Sequence, residues 1–157
     1  MASDTAPPAP VTTPQLQLVI DCADPDRLAR FWAAALGYVP PPPPDGHDSW
    51  ADWYRSVGVP EDEIDDGVDR LVDPTGTGPS VWFQPVPEAK SVKNRLHLDL
   101  LVAGRGTPIA ERRRIVDAEV ERLVGLGATI VRVVDGDVRD HYAVTLGDPE
   151  GNEFCVG

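Results

Sequence analysis

Four residues with polar or reactive side chains occupy matched positions in two related halves of this sequence: Gln17, Gln84, His97 and Cys155. Imidazole titrates near neutral pH, a thiolate is a nucleophile and a metal ligand, and side-chain amides orient polar molecules through hydrogen bonds. When a duplicated unit folds, the matched positions of its two copies contribute to one site. These four side chains are therefore predicted to form the centre of a functional site.

The duplication is visible in two pairs of segments. A strand-like run at 15–21 leads into a helix, and a second run at 95–101 does the same. An Asp-Pro turn begins at Asp73 and again at Asp148. The copies are 80 residues apart at the first strand (97 − 17) and 75 apart at the turn (148 − 73). The first copy therefore carries the extra residues, and its proline run at 40–44 is the obvious place for them.

Hydrophobic periodicity predicts the order of strands and helices in both copies. In the first copy, a strand at 15–21 precedes a helix that Asp24 caps and Gly37 ends, and a short helix with Trp50, Trp53 and Tyr54 follows. Strands at 68–72 and 81–85 complete that copy. The second copy has a strand from 95, a helix at 108–126 and strands at 129–134, 142–146 and 153–156. This order is βαβββ twice, with the second strand of the first copy short and its third strand displaced by the insertion.

Composition excludes several classes of function. A net charge of −12 argues against nucleic acids and anionic membrane surfaces as partners, since both require clustered Lys and Arg. No apolar run approaches the ~20 residues of a membrane-spanning helix, and the N-terminal residues lack the apolar core of an export signal. Two cysteines without an export signal predict reduced thiols and a cytoplasmic location. Residues 1–14 are too poor in apolar side chains to pack and are predicted to be a disordered tail.

The chain resembles the vicinal oxygen chelate superfamily, which includes glyoxalase I, extradiol dioxygenases and bleomycin-resistance proteins. The resemblance rests on the segment from Ala23 to Tyr38, on the terminal Asp-Pro-Glu-Gly-Asn turn and on the doubled βαβββ order. The segments at 81–88, 93–100 and 152–156 are further similar to the glyoxalase-like subgroup of high-GC bacteria. The resemblance implies an α+β fold in which two βαβββ modules form a curled half-barrel sheet around a shared cleft. It covers one domain at 15–157, with module one at 15–87 and module two at 93–157.

In metal-using members of that superfamily, the first and last strands of each module supply the metal ligands. The matching positions here are Gln17, Gln84, His97 and Cys155. Strand alternation agrees, because each of these residues lies on the more polar face of its strand. Gln84 and Cys155 replace the usual carboxylates, and hard divalent ions prefer charged oxygen ligands. We therefore expect no cofactor, although Zn²⁺ at His97 and Cys155 is an alternative. Asp21, Asp99 and Glu153 lie on the same strand faces as the four positions and offer displaced coordination.

The cleft is predicted to bind a small polar organic molecule without metal. Its predicted lining consists of polar and aromatic side chains: Gln17, Trp82, Gln84, Arg95, His97, Asp99, Glu153 and Cys155. Trp50 and Trp53 are candidate lid residues, although a stripe of this kind is also typical of core or interface packing. His97 with Asp99 is a candidate general base pair, and the alternative is a structural histidine.

Three functional hypotheses follow. The first is a protein that binds a small molecule without metal, as a binding or resistance protein or as an enzyme without cofactor. The second is a metal-dependent lyase, isomerase or dioxygenase with altered ligands. The third is a catalytically silent interaction domain. For an enzyme, lyase or isomerase chemistry of the glyoxalase type is the first expectation. Aromatic side chains at Trp32, Trp50, Trp53 and Tyr54 exceed what a small core needs, and this predicts a homodimer.

Overall fold

The computed structural model describes residues 14–65, 67–136 and 141–157. The predicted tail at 1–14 lies outside these ranges except for Pro14. Within the described ranges, no helix is both long and apolar enough to cross a membrane.

The first module consists of a small sheet and two helices. Its elements are β1 (Gln17–Cys22), α1 (Pro25–Leu36), α2 (Trp50–Ser56), a 3-10 turn (Glu61–Glu63), β2 (Arg70–Leu71) and β3 (Ser80–Pro85). The strand order is β1-β3-β2, with β1 parallel and β2 antiparallel to β3. β1 is therefore an edge strand of this sheet.

The second module has the complete βαβββ order. Its elements are β4 (Leu98–Leu100), α3 (Ile109–Gly125), β5 (Thr129–Gly136), β6 (His141–Gly147) and β7 (Glu153–Val156). The strand order is β4-β7-β6-β5, with β4 parallel to β7 and the other pairs antiparallel. As in the first module, the first strand lies at one edge and pairs in parallel with the last.

The predicted α+β fold with two related modules is confirmed. The second strand of the first module, which the sequence predicts to be short, is a single bridge between Val39 and Val72. The prolines at 40–44 explain this, because proline has no N–H to donate to a strand ladder. The described strands form two hydrogen-bonded sheets and no closed barrel.

Helix α1 begins and ends where the sequence predicts. The Asp24 side chain accepts a hydrogen bond from the backbone N–H of Arg27 at 3.0 Å, and Pro25 occupies the first turn, where its missing N–H costs nothing. Gly37 ends the helix in the left-handed conformation (φ 70°). The helix buries Phe31 and Trp32 against the rest of the core.

The two modules share one hydrophobic core. The ring of Trp32 in α1 lies 5.0 Å from that of Phe154 in β7, and the ring of Phe31 lies 6.0 Å from Phe154, both between centroids. The guanidinium of Arg122 in α3 also donates to the carbonyls of Ala34 and Ala35 at 3.0 Å each. Trp32 is therefore a core residue, and it supplies none of the aromatic surface on which the dimer prediction partly rested.

The repeat alignment also identifies equivalent turns. The Asp73 carboxylate accepts hydrogen bonds from the backbone N–H groups of Thr75 and Gly78, and these bonds lower its pKa. The Asp148 carboxylate holds the second turn in the same way, through the N–H groups of Glu150 and Asn152. The two differ in burial, because Asp148 is only 2% exposed and also accepts the indole N–H of Trp32 at 3.2 Å.

Candidate functional site

A groove of about 1050 Å³ lies between the two modules. One wall is β1 with the start of α1, from Leu18 to Asp24 and Arg27. The other wall is the connecting segment at 88–96, and the turn that precedes β7 closes one end with Glu150, Asn152 and Glu153. A cleft of this size between two modules is the usual place for a small-molecule site.

Two carboxylates of the groove are committed to structural bonds. Glu150 accepts the backbone N–H groups of Ala23 and Asp24 at 2.6 and 2.7 Å, at the start of α1. Glu153 accepts the backbone N–H of Asn94 at 3.1 Å and pairs with Lys90 at 3.0 Å. These two bonds, the backbone bond first, lower the pKa of Glu153 to about 2. They anchor the connecting segment to the start of β7.

Four basic side chains line the groove: Arg27, Lys90, Lys93 and Arg95. Lys90 and Lys93 are the only lysines of a chain whose net charge is −12. The guanidinium groups of Arg27 and Arg95 make no hydrogen bond or ion pair with any other residue that the structure describes. Asp21 and Glu88 also line the groove, so it offers both cationic donors and anionic acceptors.

His97, Asp99 and Cys155 form a cluster on the second sheet. One potential ligand atom from each residue lies within 4.8 Å of the others. Register explains the proximity, since Asp99 of β4 pairs with Cys155 of β7 and alternation places His97 on the same face. The hydroxyl of Thr145 lies 3.6 Å from the Cys155 sulfur, and the Lys93 ammonium lies 2.9 Å from Nε2 of His97.

The other predicted strand residues share a face of the first sheet. Along β3, Trp82 and Gln84 alternate with the core residues Val81 and Phe83. Along β1, Gln17 lies on the opposite side from Leu18, which packs against the core, so all three predicted residues point away from the core. The guanidinium carbon of Arg70 lies 5.5 Å from the centre of the Trp82 ring. The indole nitrogen of Trp82 is buried and has no hydrogen-bond partner among the described residues.

The candidate lid residues lie in the inserted part of module one. Trp50 and Trp53 pack edge to face, with ring centroids 5.5 Å apart, and Tyr54 lies 5.1 Å from Trp53. The indole N–H of Trp50 donates to the carbonyl of Pro41 at 2.9 Å, which ties the helix to the proline run. Trp50 lines a second cavity of about 560 Å³, together with Arg70 and Pro85.

The structure therefore distributes the predicted site residues over four places. The cluster on the second sheet contains His97, Asp99 and Cys155, and one face of the first sheet carries Gln17, Trp82 and Gln84. The groove is lined by Arg95 and Glu153, and α2 contains Trp50 and Trp53. That all of them contact one ligand stays a prediction. Sequence reasoning missed Arg27, Lys90 and Lys93, although one signal was available: both lysines of the chain fall within four positions of each other, just before β4.

Both cysteines are free thiols. Cys22 is buried on the core side of β1, and burial raises the pKa of its thiol to about 11. Cys155 is half-buried on the opposite side of its strand from the core residues Phe154 and Val156. Cys22 is therefore a packing residue.

The four superfamily ligand positions do not fit a divalent ion well. Gln17 and Gln84 offer only neutral amides, and hard ions require charged oxygen ligands to offset the loss of their hydration shell. Nε2 of His97 already accepts a hydrogen bond from the Lys93 ammonium, because an ammonium has no lone pair with which to accept one.

Solved structures of other proteins share this fold. A glyoxalase/bleomycin resistance protein/dioxygenase family enzyme from Burkholderia phytofirmans PsJN is 16% identical, with a TM-score of 0.56 over 89% of this chain and 94% of that one. A glyoxalase-related enzyme from Fulvimarina pelagi is 15% identical, with a TM-score of 0.53 over 92% and 87%. The fosfomycin resistance protein FosX from Mesorhizobium loti is 9% identical, with a TM-score of 0.50 over 94% and 92%. The fold is that of the vicinal oxygen chelate superfamily.

The sequence itself identifies the family. The family model described as a glyoxalase-like domain matches residues 17–157, which is nearly the whole chain. The chain therefore belongs to the glyoxalase-like domain family. A search of curated protein sequences gives no match.

Proposed function

We propose that this protein binds a small polar organic molecule, without metal, in the groove between its two modules. The observation that carries the proposal is the pair of unpartnered guanidinium groups, Arg27 and Arg95, on opposite walls of that groove. Guanidinium groups bind carboxylate and other oxygen acceptors with paired hydrogen bonds. Two of them facing one groove from two modules suit a single ligand that bridges the walls.

The walls also suit recognition of a ligand with more than one polar group. Asp21 and Glu88 offer acceptors for N–H or O–H donors, and Val19 and Leu98 offer apolar surface beside them. Sites for small molecules commonly combine apolar lining with a few placed polar groups. Among the superfamily activities, binding and sequestration, as in resistance proteins, fit this arrangement best.

The geometry at His97 favours binding over base catalysis. A general base needs a free lone pair within hydrogen-bond reach of its substrate. The Lys93 ammonium occupies Nε2 of His97 at 2.9 Å, so a substrate proton would have to displace that contact first. The predicted catalytic pair, His97 and Asp99, stays a prediction.

A melting-temperature screen against small organic acids, amines and neutral compounds tests the proposal. A ligand that binds only the folded state stabilises it by RT ln(1 + [L]/Kd), which is about 2.7 kcal/mol when its concentration is about 100 times Kd. We expect stabilising compounds to lose their effect in the double variant Arg27→Gln/Arg95→Gln. The matched control is Arg105→Gln/Arg114→Gln, which removes two exposed guanidinium groups from outside the groove lining and should leave the ligand-induced shift unchanged. Equal shifts in both double variants would show that the ligand binds elsewhere.

A metal-dependent enzyme is the second candidate function. The cluster of His97, Asp99 and Cys155 favours it, because nitrogen, oxygen and sulfur donors within 4.8 Å of one another are a set that Zn²⁺ accepts. This set lies entirely in module two and differs from the superfamily positions by using Asp99 in place of both Gln17 and Gln84. Metal analysis separates the two candidates.

Pairing of two chains stays a proposal. β5 is the edge strand of the second sheet, and its exposed side chains include Ile130, Val131 and Val133. An exposed apolar edge strand is a ready surface for association with a second copy. Half-buried Trp50 and Trp53 offer additional aromatic surface.

A further inference from the structure

We infer that Lys93 is the anion-binding residue of this site: its ammonium, held on His97, binds a carboxylate or similar anionic oxygen of the ligand in the groove. The inference deepens the proposed function and rests on it, because it assigns the chemical class of the ligand in the same groove. It also assigns a residue that sequence reasoning did not select.

The Lys93 ammonium has more hydrogen-bond donors than the described residues use. An ammonium carries three N–H donors. One of them reaches Nε2 of His97 at 2.9 Å, and the backbone carbonyl of Asn94 accepts a second at 3.3 Å. No carboxylate of the described residues pairs with Lys93, whereas Lys90 is paired with Glu153. The third donor of Lys93 is therefore available to a ligand.

The position of Lys93 also suits a contact with a ligand in the groove. Lys93 lines the groove, and its contact with His97 connects the groove to the cluster with Asp99 and Cys155. The bond between Glu153 and the N–H of Asn94, the next residue, holds the backbone of this segment in place. A fixed backbone and a fixed first contact leave the long side chain less freedom to lose when a ligand binds.

The cluster of His97, Asp99 and Cys155 is a set of groups that would attract a metal cation. The Lys93 ammonium is a cation beside this cluster, 2.9 Å from Nε2 of His97. Lys93 thus supplies a positive charge at the cluster, and Arg95 supplies another in the groove. An anionic oxygen beside Lys93 is within reach of charge-assisted hydrogen bonds.

The ligand-free protein provides the first test. Because the ammonium donates to Nε2, neutral His97 must carry its proton on Nδ1. With three histidines in the chain, ¹⁵N NMR of the imidazoles resolves the tautomer of each, and His97→Gln assigns the signal. We expect the Nδ1–H tautomer for His97 in the native chain and a change in its signal in Lys93→Gln. A proton on Nε2 in the native chain would overturn the contact and the inference with it.

The second test compares benzoate with benzamide, its neutral analogue, as probes. Protein with ¹⁵N-labelled lysine has only two side-chain ammonium signals, and Lys90→Arg assigns them. Benzoate is expected to shift the Lys93 signal and benzamide to leave it unchanged. Lys93→Gln should raise the Kd of benzoate about tenfold, as the loss of one charged hydrogen bond implies, and Lys93→Arg should restore most of the affinity.

The control is Arg105→Gln, which removes an exposed positive charge from outside the groove lining and should change the benzoate Kd by less than about twofold. Equal binding of benzoate and benzamide, with no effect of Lys93→Gln, would overturn the inference and leave the groove as the ligand site. If neither probe shifts any resonance of the groove residues, the proposed function fails and the inference falls with it.

Discussion

Replacing Phe154 by alanine is expected to lower the free energy of unfolding by about 3–5 kcal/mol, as for other buried aromatic side chains. Phe154 is 1% exposed and packs against the rings of Phe31 and Trp32, so the substitution leaves a cavity where the two modules meet. Urea denaturation followed by circular dichroism measures the loss.

Leu101→Ala is the matched control for the loss of a large apolar side chain. Leu101 is 81% exposed, so its truncation should change stability by no more than about 0.5 kcal/mol. If the two substitutions cost the same, the modules do not share a core, and a groove with fixed walls between them would lose its structural basis.

The second large effect is expected at Asp148. Asp148→Ala removes an acceptor used by the N–H groups of Glu150 and Asn152 and by the buried indole of Trp32. Each buried donor left without a partner costs about 1–3 kcal/mol, so a total loss of about 3 kcal/mol or more is expected. Burial raises the pKa of the Asp148 carboxyl, and its hydrogen bonds only partly oppose that effect.

Asp73→Ala provides the comparison, since Asp73 occupies the equivalent turn of the first module. Water can replace the lost acceptor at this more exposed turn, so we expect Asp73→Ala to cost clearly less than Asp148→Ala in the same urea titration. Equal losses would show that burial of the second turn adds nothing to its stability.

Local sequence signals predicted much of the fold because they act over a few residues. The cap at Asp24 and the left-handed Gly37 are both observed. Alternation placed Leu18 and Ile20 on the core side of β1. The sequence also predicted the short second strand of module one, which is limited to the bridge between Val39 and Val72, just before the proline run.

The site was only partly predictable from the sequence, because it depends on contacts between distant segments. Strand register brings His97, Asp99 and Cys155 together, and parity in the sequence predicted their common face. Arg27 and Lys93 belong to no strand, so alternation could not select them. Their shared groove exists only because α1 and the connecting segment face each other across the module boundary.

The metal content of protein purified without chelator is the measurement that tests the central claim most directly. The account predicts well below one equivalent of Zn, Fe, Mn, Ni or Mg per chain by plasma mass spectrometry, and no change in melting temperature when these ions are added. A divalent ion would lose its hydration shell for mostly uncharged ligands, because Gln17 and Gln84 are neutral and Nε2 of His97 accepts a hydrogen bond from the Lys93 ammonium. Stoichiometric zinc that disappears in His97→Ala or Cys155→Ala would contradict the account and assign Cys155 as a thiolate ligand.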